Sequence, residues 1–200
     1  MIFDDEKFVR EMNKKLQNKN LGGVVSFVTD TVWGVGCLPS NEKGVEKIYE
    51  LKNRDRSKPL ILMSDRVEHL LPYVKNIPEK AHELMEKHFP GALTLIFEKS
   101  DLTPLFMTSN KNTVGIRVPA NPVFKRLCEV VDGHVLATTS ANLSGQKAAS
   151  NYEEAVKSVG EHVEYVFEDY GFHCQGLAST VALALDDDIK VLRQGEVVIE

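Results

Sequence analysis

The sequence predicts an α/β or α+β fold built on a mixed sheet, and three observations support this. Short apolar runs typical of buried strands alternate with helical patterns along the chain. No internal repeat, low-complexity tract or long linker interrupts the alternation. At 200 residues, the chain is long enough for one compact domain with a substantial core. We therefore expect residues 1–200 to form a single domain.

Helices are predicted where apolar residues recur every three or four positions. The first is expected from Phe8 to near Asn20, with a cap at Asp4 or Asp5. The other predicted helices are one capped by Asn41, three at residues 67–74, 79–89 and 122–131, and one that starts at a capping box of Ser150 to Glu153.

Strands are predicted from short apolar runs bounded by turn residues. These runs lie at residues 24–28, 60–63, 93–97, 113–118, 135–139, 165–167, 180–185 and 190–192. The polar, glycine-containing stretch at residues 29–40 is predicted to be a loop.

Composition restricts the class of protein. The chain is 42% hydrophobic and 26% charged, as expected of a globular fold. It lacks a membrane-length apolar run, and its acidic N-terminus differs from a signal peptide, so we expect a cytoplasmic protein without a membrane partner. The net charge of −5 argues against a protein that coats nucleic acid. The spacing of the cysteines and histidines predicts neither a disulfide framework nor a metal site.

The stretch at residues 29–36 holds two threonines, an aspartate and two glycines directly after a predicted strand. Such a loop can bring hydroxyls and backbone N–H groups close to a ligand. The alternative interpretation is a glycine-rich turn that packs Trp33 into the core.

Four cations, Lys52, Arg54, Arg56 and Lys58, occupy every second position before Pro59. Proline disfavours helix at the residue before it, and in extended backbone this spacing points all four side chains to one side. Such a row of charges would suit a phosphate or carboxylate. The alternative is a solvated basic loop.

Residues 134–145 lead from an apolar run into a dense set of hydroxyls with an amide and a glycine, which can cradle phosphates or form a polar turn. Arg117 and Arg193 stand near the ends of two predicted strands, where they could converge on one anion or face solvent. The chain contains neither a Walker-type loop nor a dinucleotide fingerprint, so any nucleotide must be held by another architecture.

Taken together, these segments resemble the YrdC/Sua5 family over residues 29–195. The resemblance rests on Lys52-Asn53-Arg54, on Ser140-Ala141-Asn142, and on the flanking motifs at 29–34, 58–60, 90–91, 115–119, 144–145, 179–181 and 193–195. It implies a YrdC/RibB-like fold, with helices flanking a twisted, mostly antiparallel sheet around a basic cavity. The sequence departs from the family pattern at Val28, Trp33 and Met63, where members carry Pro, Tyr and, in some, His.

The resemblance also implies a reaction. L-threonine, bicarbonate and ATP, with Mg²⁺, would give threonylcarbamoyl-AMP and pyrophosphate for the t6A modification of tRNA. Downstream threonylcarbamoyl transferase proteins and a tRNA contact would be the partners. Because each reactant presents an anionic group, either a carboxylate, bicarbonate or phosphates, the site should supply positive charge and aligned donors, which is a requirement of the chemistry itself.

The family pattern implies roles for eleven residues. Catalysis and binding of the ATP phosphates would fall to Lys52, Arg54, Ser140 and Asn142. Further ATP contacts would come from Lys58, Thr113 and Arg193, and threonine would be bound by Thr31, Arg117, Thr138 and Ser179. Two alternatives remain open: a module that binds double-stranded RNA or tRNA in translation or ribosome assembly, and a sugar-phosphate or carbamoyl-transfer enzyme on the same fold.

Overall fold

A computed structural model describes residues 6–18 and 22–199 of the protein. Within those ranges, helices flank one large sheet. The α helices are α1 (Glu6–Leu16), α2 (Glu42–Lys52), α3 (Glu79–His88), α4 (Pro122–Val130) and α5 (Tyr152–Val159). Short 3-10 turns occupy Val67–His69, Leu71–Tyr73, Leu105–Met107 and Gly160–His162.

The sheet has ten strands. They are β1 (Val25–Phe27), β2 (Gly34–Cys37), β3 (Ile61–Ser64), β4 (Val74–Lys75), β5 (Leu93–Lys99), β6 (Thr113–Arg117), β7 (Val135–Ser140), β8 (Tyr165–Val166), β9 (Thr180–Leu183) and β10 (Lys190–Arg193). Their order is β10-β9-β5-β6-β3-β7-β2-β1-β8, and β4 pairs with β5 at the side. The β1–β8, β3–β6 and β5–β9 pairs are parallel, and the other six pairs are antiparallel. The predicted mixed, mostly antiparallel sheet is therefore confirmed.

The central strands of the sheet are buried and form a rigid support for the residues at their ends. β2 is buried along its whole length, and β3 and β7 each have a run of buried residues. α2 packs against this centre with Val45, Ile48 and Tyr49 buried. Asn41 caps α2 as predicted, since its side chain accepts a hydrogen bond from Gly44 N at 3.2 Å.

The prediction of an uninterrupted loop over residues 29–40 was wrong, because β2 lies within it. β2 pairs with β1 on one side and with β7 on the other. Its glycines allow this close approach: a Cβ on Gly34 would stand 2.7 Å from Cε2 of Phe27. A strand built from Gly34 to Cys37 lacks the alternating large apolar residues by which strands are predicted.

Two helix predictions also need correction. Residues 67–74 form two 3-10 turns and the start of β4, since Pro72 supplies no N–H for a continuing α helix. The capping box of α5 is shifted by one residue. Asn151 accepts from Glu154 N at 2.8 Å, and the Glu154 carboxylate accepts from Ser150.

The first helix differs from its prediction at its end. α1 ends at Leu16, and the predicted end at Asn20 and the predicted caps at Asp4 and Asp5 lie outside the described residues. None of the described helices has the length and apolar character needed to cross a membrane.

Candidate functional site

A cavity of about 340 Å³ collects most of the residues that the sequence singled out. Its lining contains three arginines, several hydroxyls and two side-chain amides, but no carboxylate among the described residues. Eight of the eleven predicted site residues line it: Thr31, Arg54, Arg117, Thr138, Ser140, Asn142, Ser179 and Arg193. They come from loops and strands distant in the sequence, so the fold brings them together.

Arg117 is held at the end of β6 by three hydrogen bonds. Its Nε donates to Gly91 O at 2.9 Å, one terminal nitrogen donates to Thr31 Oγ1 at 2.7 Å, and the other pairs with Asp30. The Arg117 side chain is only 3% exposed. Burial lowers the pKa of Arg117, while the Asp30 carboxylate opposes that shift. Because these bonds use three of the five guanidinium N–H groups, two remain for an anion in the cavity.

Arg193 reaches the cavity from β10, at the edge of the sheet. Its Nε and one terminal nitrogen both donate to Ser179 O, at 3.2 and 2.8 Å. The Ser179 hydroxyl in turn lies 2.9 Å from Thr94 Oγ1. Burial lowers the pKa of Arg193, and its positive charge lowers the pKa of Arg117. The two arginines therefore line one cavity, while their binding of a common anion stays a prediction.

The basic segment at residues 52–58 does not form the one-sided extended row that was predicted. Asn53 adopts a left-handed conformation with φ 46° and ends α2, so the chain turns sharply there. Arg56 points outward to pair with Glu46, and Lys58 is exposed. Arg54 is the member of the row that lines the cavity, with Nε and a terminal nitrogen donating to the carbonyls of Lys58 and Pro59 at 3.0 Å.

Lys52 lies behind the cavity wall and is not part of its lining. Its side chain is buried, and Nζ donates to Ser140 O, Asn142 O and Asn142 Oδ1 at 2.5, 2.6 and 2.8 Å. Burial and the neighbouring charge of Arg54 lower the pKa of Lys52 to about 7. Thr113 also lies outside the lining, at the opposite end of β6 from Arg117.

The loop at residues 29–33 packs Trp33 into the core and also lines the cavity, while its contact with a ligand stays a prediction. Thr29 Oγ1 accepts from the backbone N–H groups of Thr31 and Val32, which shapes the loop against the cavity. Trp33 is fully buried and also contributes to the lining. Its backbone donates to Ala149 O and accepts from Ala141 N, so the loop is tied to the end of β7.

Some residues of the site were missed by the sequence analysis. Asp30 supplies the counter-charge of Arg117, Thr94 contacts Ser179, and Gln146 adds an amide to the lining. The sequence did offer an indication that Asp30 belongs to the site, because it stands between the two threonines of the segment at residues 29–36. No sequence pattern indicated Thr94 or Gln146, since their contacts depend on strand pairing and loop folding. Met63, one of the departures from the family pattern, also lines the cavity.

A second cluster, Asp65, His69 and His134, lies outside the cavity lining. Sequence spacing could not show it, because the pairing of β3 with β7 brings its members together. His69 Nδ1 is 2.8 Å from Asp65 Oδ1, and the two imidazole rings stack with centroids 4.4 Å apart and planes 11° apart. Parallel rings direct their nitrogen lone pairs within separate planes, so both cannot ligate one ion without a rotation. We therefore assign no metal to this cluster.

The lining also argues against a protein-held magnesium ion in the cavity. Mg²⁺ binds in proteins through one or two carboxylates together with substrate phosphates. The lining residues supply hydroxyls, amides and guanidinium groups instead. They do not fit a Mg²⁺ site of their own, and any Mg²⁺ would enter as the counter-ion of a nucleotide.

Comparisons with known proteins agree with this geometry. The Sua5/YciO/YrdC family model, described as telomere recombination, matches residues 18–195. The chain belongs to the Sua5/YciO/YrdC family. A threonylcarbamoyl-AMP synthase of Idiomarina loihiensis is 34% identical over 149 residues, which are 74% of this chain and 80% of that protein. The corresponding synthase of Pyrococcus abyssi is 32% identical over 90% of this chain and 52% of its own length.

Solved structures of Sua5 and YciO have the same fold as this chain. Sua5 of P. abyssi complexed with L-threonine superposes with a TM-score of 0.84 at 30% identity, over 94% of this chain and 54% of that one. YciO of Escherichia coli superposes with a TM-score of 0.79 at 26% identity, over 94% and 90%. The chain therefore spans about half the length of P. abyssi Sua5 and nearly all of YciO.

Proposed function

We propose that this member of the Sua5/YciO/YrdC family is a threonylcarbamoyl-AMP synthase, a nucleotidyl-transferring enzyme. The observation that carries the proposal is a cavity with three converging arginines and a carboxylate-free lining. Such a site suits a reaction between ATP and the carbamate of threonine, both of which are anionic. Relatives named threonylcarbamoyl-AMP synthase, and a Sua5 structure with bound L-threonine, support the same activity.

For the threonine site, we assign the carboxylate to Arg117. Its guanidinium is fixed by Asp30, Thr31 and Gly91 and retains two N–H donors, which suits a bidentate contact with a carboxylate. Thr138 and Ser179 supply hydroxyls from the same lining, as does Thr31. Met63 pairs in register with Arg117, so an apolar side chain stands beside the proposed carboxylate site.

For the ATP phosphates, we assign Arg54, Arg193, Ser140 and Asn142. The two guanidinium groups are anchored through backbone carbonyls, so their charge is in place before a ligand arrives. The Ser140 hydroxyl donates to Asn142 Oδ1 at 2.6 Å, and would exchange that partner for a phosphate oxygen on binding. Contacts of ATP with Lys58 and Thr113 stay predictions, because both residues lie outside the lining.

The chemistry follows from these placements. The threonine ammonium first releases a proton to solvent. The free amine then adds to the CO₂ that bicarbonate yields with loss of hydroxide, and the proton displaced from the amine joins that hydroxide as water, leaving a carbamate. A carbamate oxygen then forms a bond to the α-phosphorus while the bond from that phosphorus to the β-phosphate bridging oxygen breaks, releasing pyrophosphate. Arginines and aligned donors stabilise the negative charge that builds on the α-phosphate. No residue of the cavity is assigned as a general base or nucleophile.

The product would serve as the activated donor for t6A formation on tRNA, with downstream threonylcarbamoyl transferase proteins as its users. No feature of the described residues favours the alternative of a double-stranded RNA-binding module.

The test is pyrophosphate release from ATP by the purified chain in bicarbonate buffer. Release should require threonine and should be lost in Arg117→Met, which removes the proposed carboxylate partner. Arg56→Met is the matched control, because Arg56 is an exposed arginine that pairs with Glu46 and lies outside the lining. Absence of threonine-dependent pyrophosphate from the wild-type protein would overturn the assignment.

A further inference from the structure

We propose that Lys52 is a positioning residue: its buried ammonium holds the turn formed by Ser140, Ala141 and Asn142 in the shape that receives phosphate, without contacting phosphate itself. The inference rests on the proposed function for the identity of the ligand. The contacts that carry it do not depend on any ligand.

The first argument is the number of donors on the ammonium. Although burial lowers the pKa of Lys52 to about 7, the three oxygens around Nζ can only accept, so this arrangement holds the protonated amine, which has three N–H donors and no acceptor. Three oxygens, Ser140 O, Asn142 O and Asn142 Oδ1, lie 2.5 to 2.8 Å from Lys52 Nζ. All three donors are therefore used within the protein, and none remains for a phosphate oxygen.

The second argument is how α2 places the side chain. Lys52 follows Val45 by seven residues and Ile48 by four, so it continues the buried face of the helix. The helix ends immediately after it, because Asn53 turns the backbone into the left-handed region. The ammonium is thus delivered into the interior behind the turn, whereas Arg54 is delivered to the cavity.

The third argument is that Lys52 belongs to a closed set of bonds with the turn. The backbone carbonyl of Lys52 accepts a hydrogen bond from Ser144 N at 2.7 Å, and its ammonium donates to the carbonyls of Ser140 and Asn142. Asn142 Oδ1 accepts from both Lys52 and the Ser140 hydroxyl, and Asn142 Nδ2 donates to Gln146 O at 2.7 Å. Removing the ammonium would leave the oxygens of Ser140 and Asn142 without their shared donor, and the turn would lose its fixed shape.

The experiment compares Lys52→Met with Lys43→Met, which makes the same substitution at an exposed position of α2. Hydrogen exchange is measured on the ligand-free protein. Lys52→Met should accelerate exchange in the peptide covering residues 140–149, and Lys43→Met should leave it unchanged. Lys52→Gln, which keeps two uncharged N–H donors, serves if the methionine variant fails to fold, and it should accelerate the same peptide.

The kinetic arm separates positioning from contact with phosphate. A displaced turn should lower kcat/KM for ATP by about 100-fold, because small misplacements of aligned donors have effects of that order. The KM for threonine should stay the same, since Arg117 and Thr31 lie elsewhere in the cavity. ATP affinity is followed by the fluorescence of Trp33, the one tryptophan of the chain, which lines the cavity.

The two mechanisms also differ in a double-mutant cycle of ATP affinity with Asn142→Ala. If Lys52 acts through the turn, the variant that combines Lys52→Met with Asn142→Ala should bind ATP almost as well as whichever single variant has the lower ATP affinity. Unchanged exchange in the 140–149 peptide, together with effects that multiply in the cycle, would overturn the proposal. If the wild-type protein forms no pyrophosphate, the proposed function fails, while the exchange measurement still judges the role of Lys52.

Discussion

Asp30→Asn tests whether Arg117 depends on its counter-charge. Asp30 pairs with a guanidinium nitrogen of Arg117, and the two side chains are 14% and 3% exposed. Asparagine keeps the size of the side chain and one acceptor oxygen, so the substitution removes the charge and preserves most of the shape. Arg117 would then be a buried cation with hydrogen bonds but without an ionic partner.

The expected loss of stability follows from that difference. Removing one partner of a buried ion pair costs about 3–5 kcal/mol, because the other charge stays buried. The hydrogen bond that asparagine retains offsets about 1 kcal/mol of this. The free energy of unfolding should therefore fall by about 2–3 kcal/mol, taking the partial exposure of Asp30 into account.

Urea denaturation at pH 7 measures this change, with the slope against denaturant checked for constancy. Glu46→Gln is the matched control, because it makes the same change in the exposed pair with Arg56, where no measurable loss is expected. If Asp30→Asn is no less stable than Glu46→Gln, the buried pair does not support Arg117 and the reasoning fails.

Three further predictions concern other parts of the fold. Gly34→Ala should lower the free energy of unfolding by about 1–3 kcal/mol in urea, because its Cβ would meet the buried ring of Phe27. An unchanged urea midpoint would show that the Phe27 ring moves aside without cost and would contradict this prediction. Asn151→Ala should cost about 1 kcal/mol in the same assay, because α5 loses the side chain that caps it. A loss no larger than that of an exposed substitution would contradict this role. Cys174 should be the first thiol labelled by a disulfide reagent in the native protein, since burial raises the pKa of all three thiols but Cys174 is partly exposed while Cys37 and Cys128 are buried. Peptide mass spectrometry checks the order, and early labelling of a buried cysteine would refute it.

The fold class could be predicted because most strands and helices show their own periodicity. β3, β5, β6 and β7 were all predicted at nearly their observed positions. β2 could not be, because its burial comes from the strands on both sides and its glycines remove the apolar pattern. The expectation that residues 1–200 form a single domain stays a prediction.

The candidate site was predicted in composition better than in geometry. Eight of the expected residues line one cavity, but the basic row was assigned the wrong backbone. Helical spacing from Val45 and Ile48 would have placed Lys52 on the buried face of α2. The alternation of charges favoured a strand instead. The partnership of Asp30 with Arg117 depends on two segments 87 residues apart, which no local pattern records.

The three arginines of the cavity come from the loop after α2, the end of β6 and the last residue of β10. Arg193 belongs to the terminal strand of the sheet, and it anchors itself on the carbonyl of Ser179 in the segment before β9. The cavity therefore has its full charge only after β10 has been synthesised and has paired with β9. A nascent chain that stops short of β10 would lack the third guanidinium of the cavity. The pairing of the edge strand β10 with β9 is thus the step that completes the positive charge of the cavity.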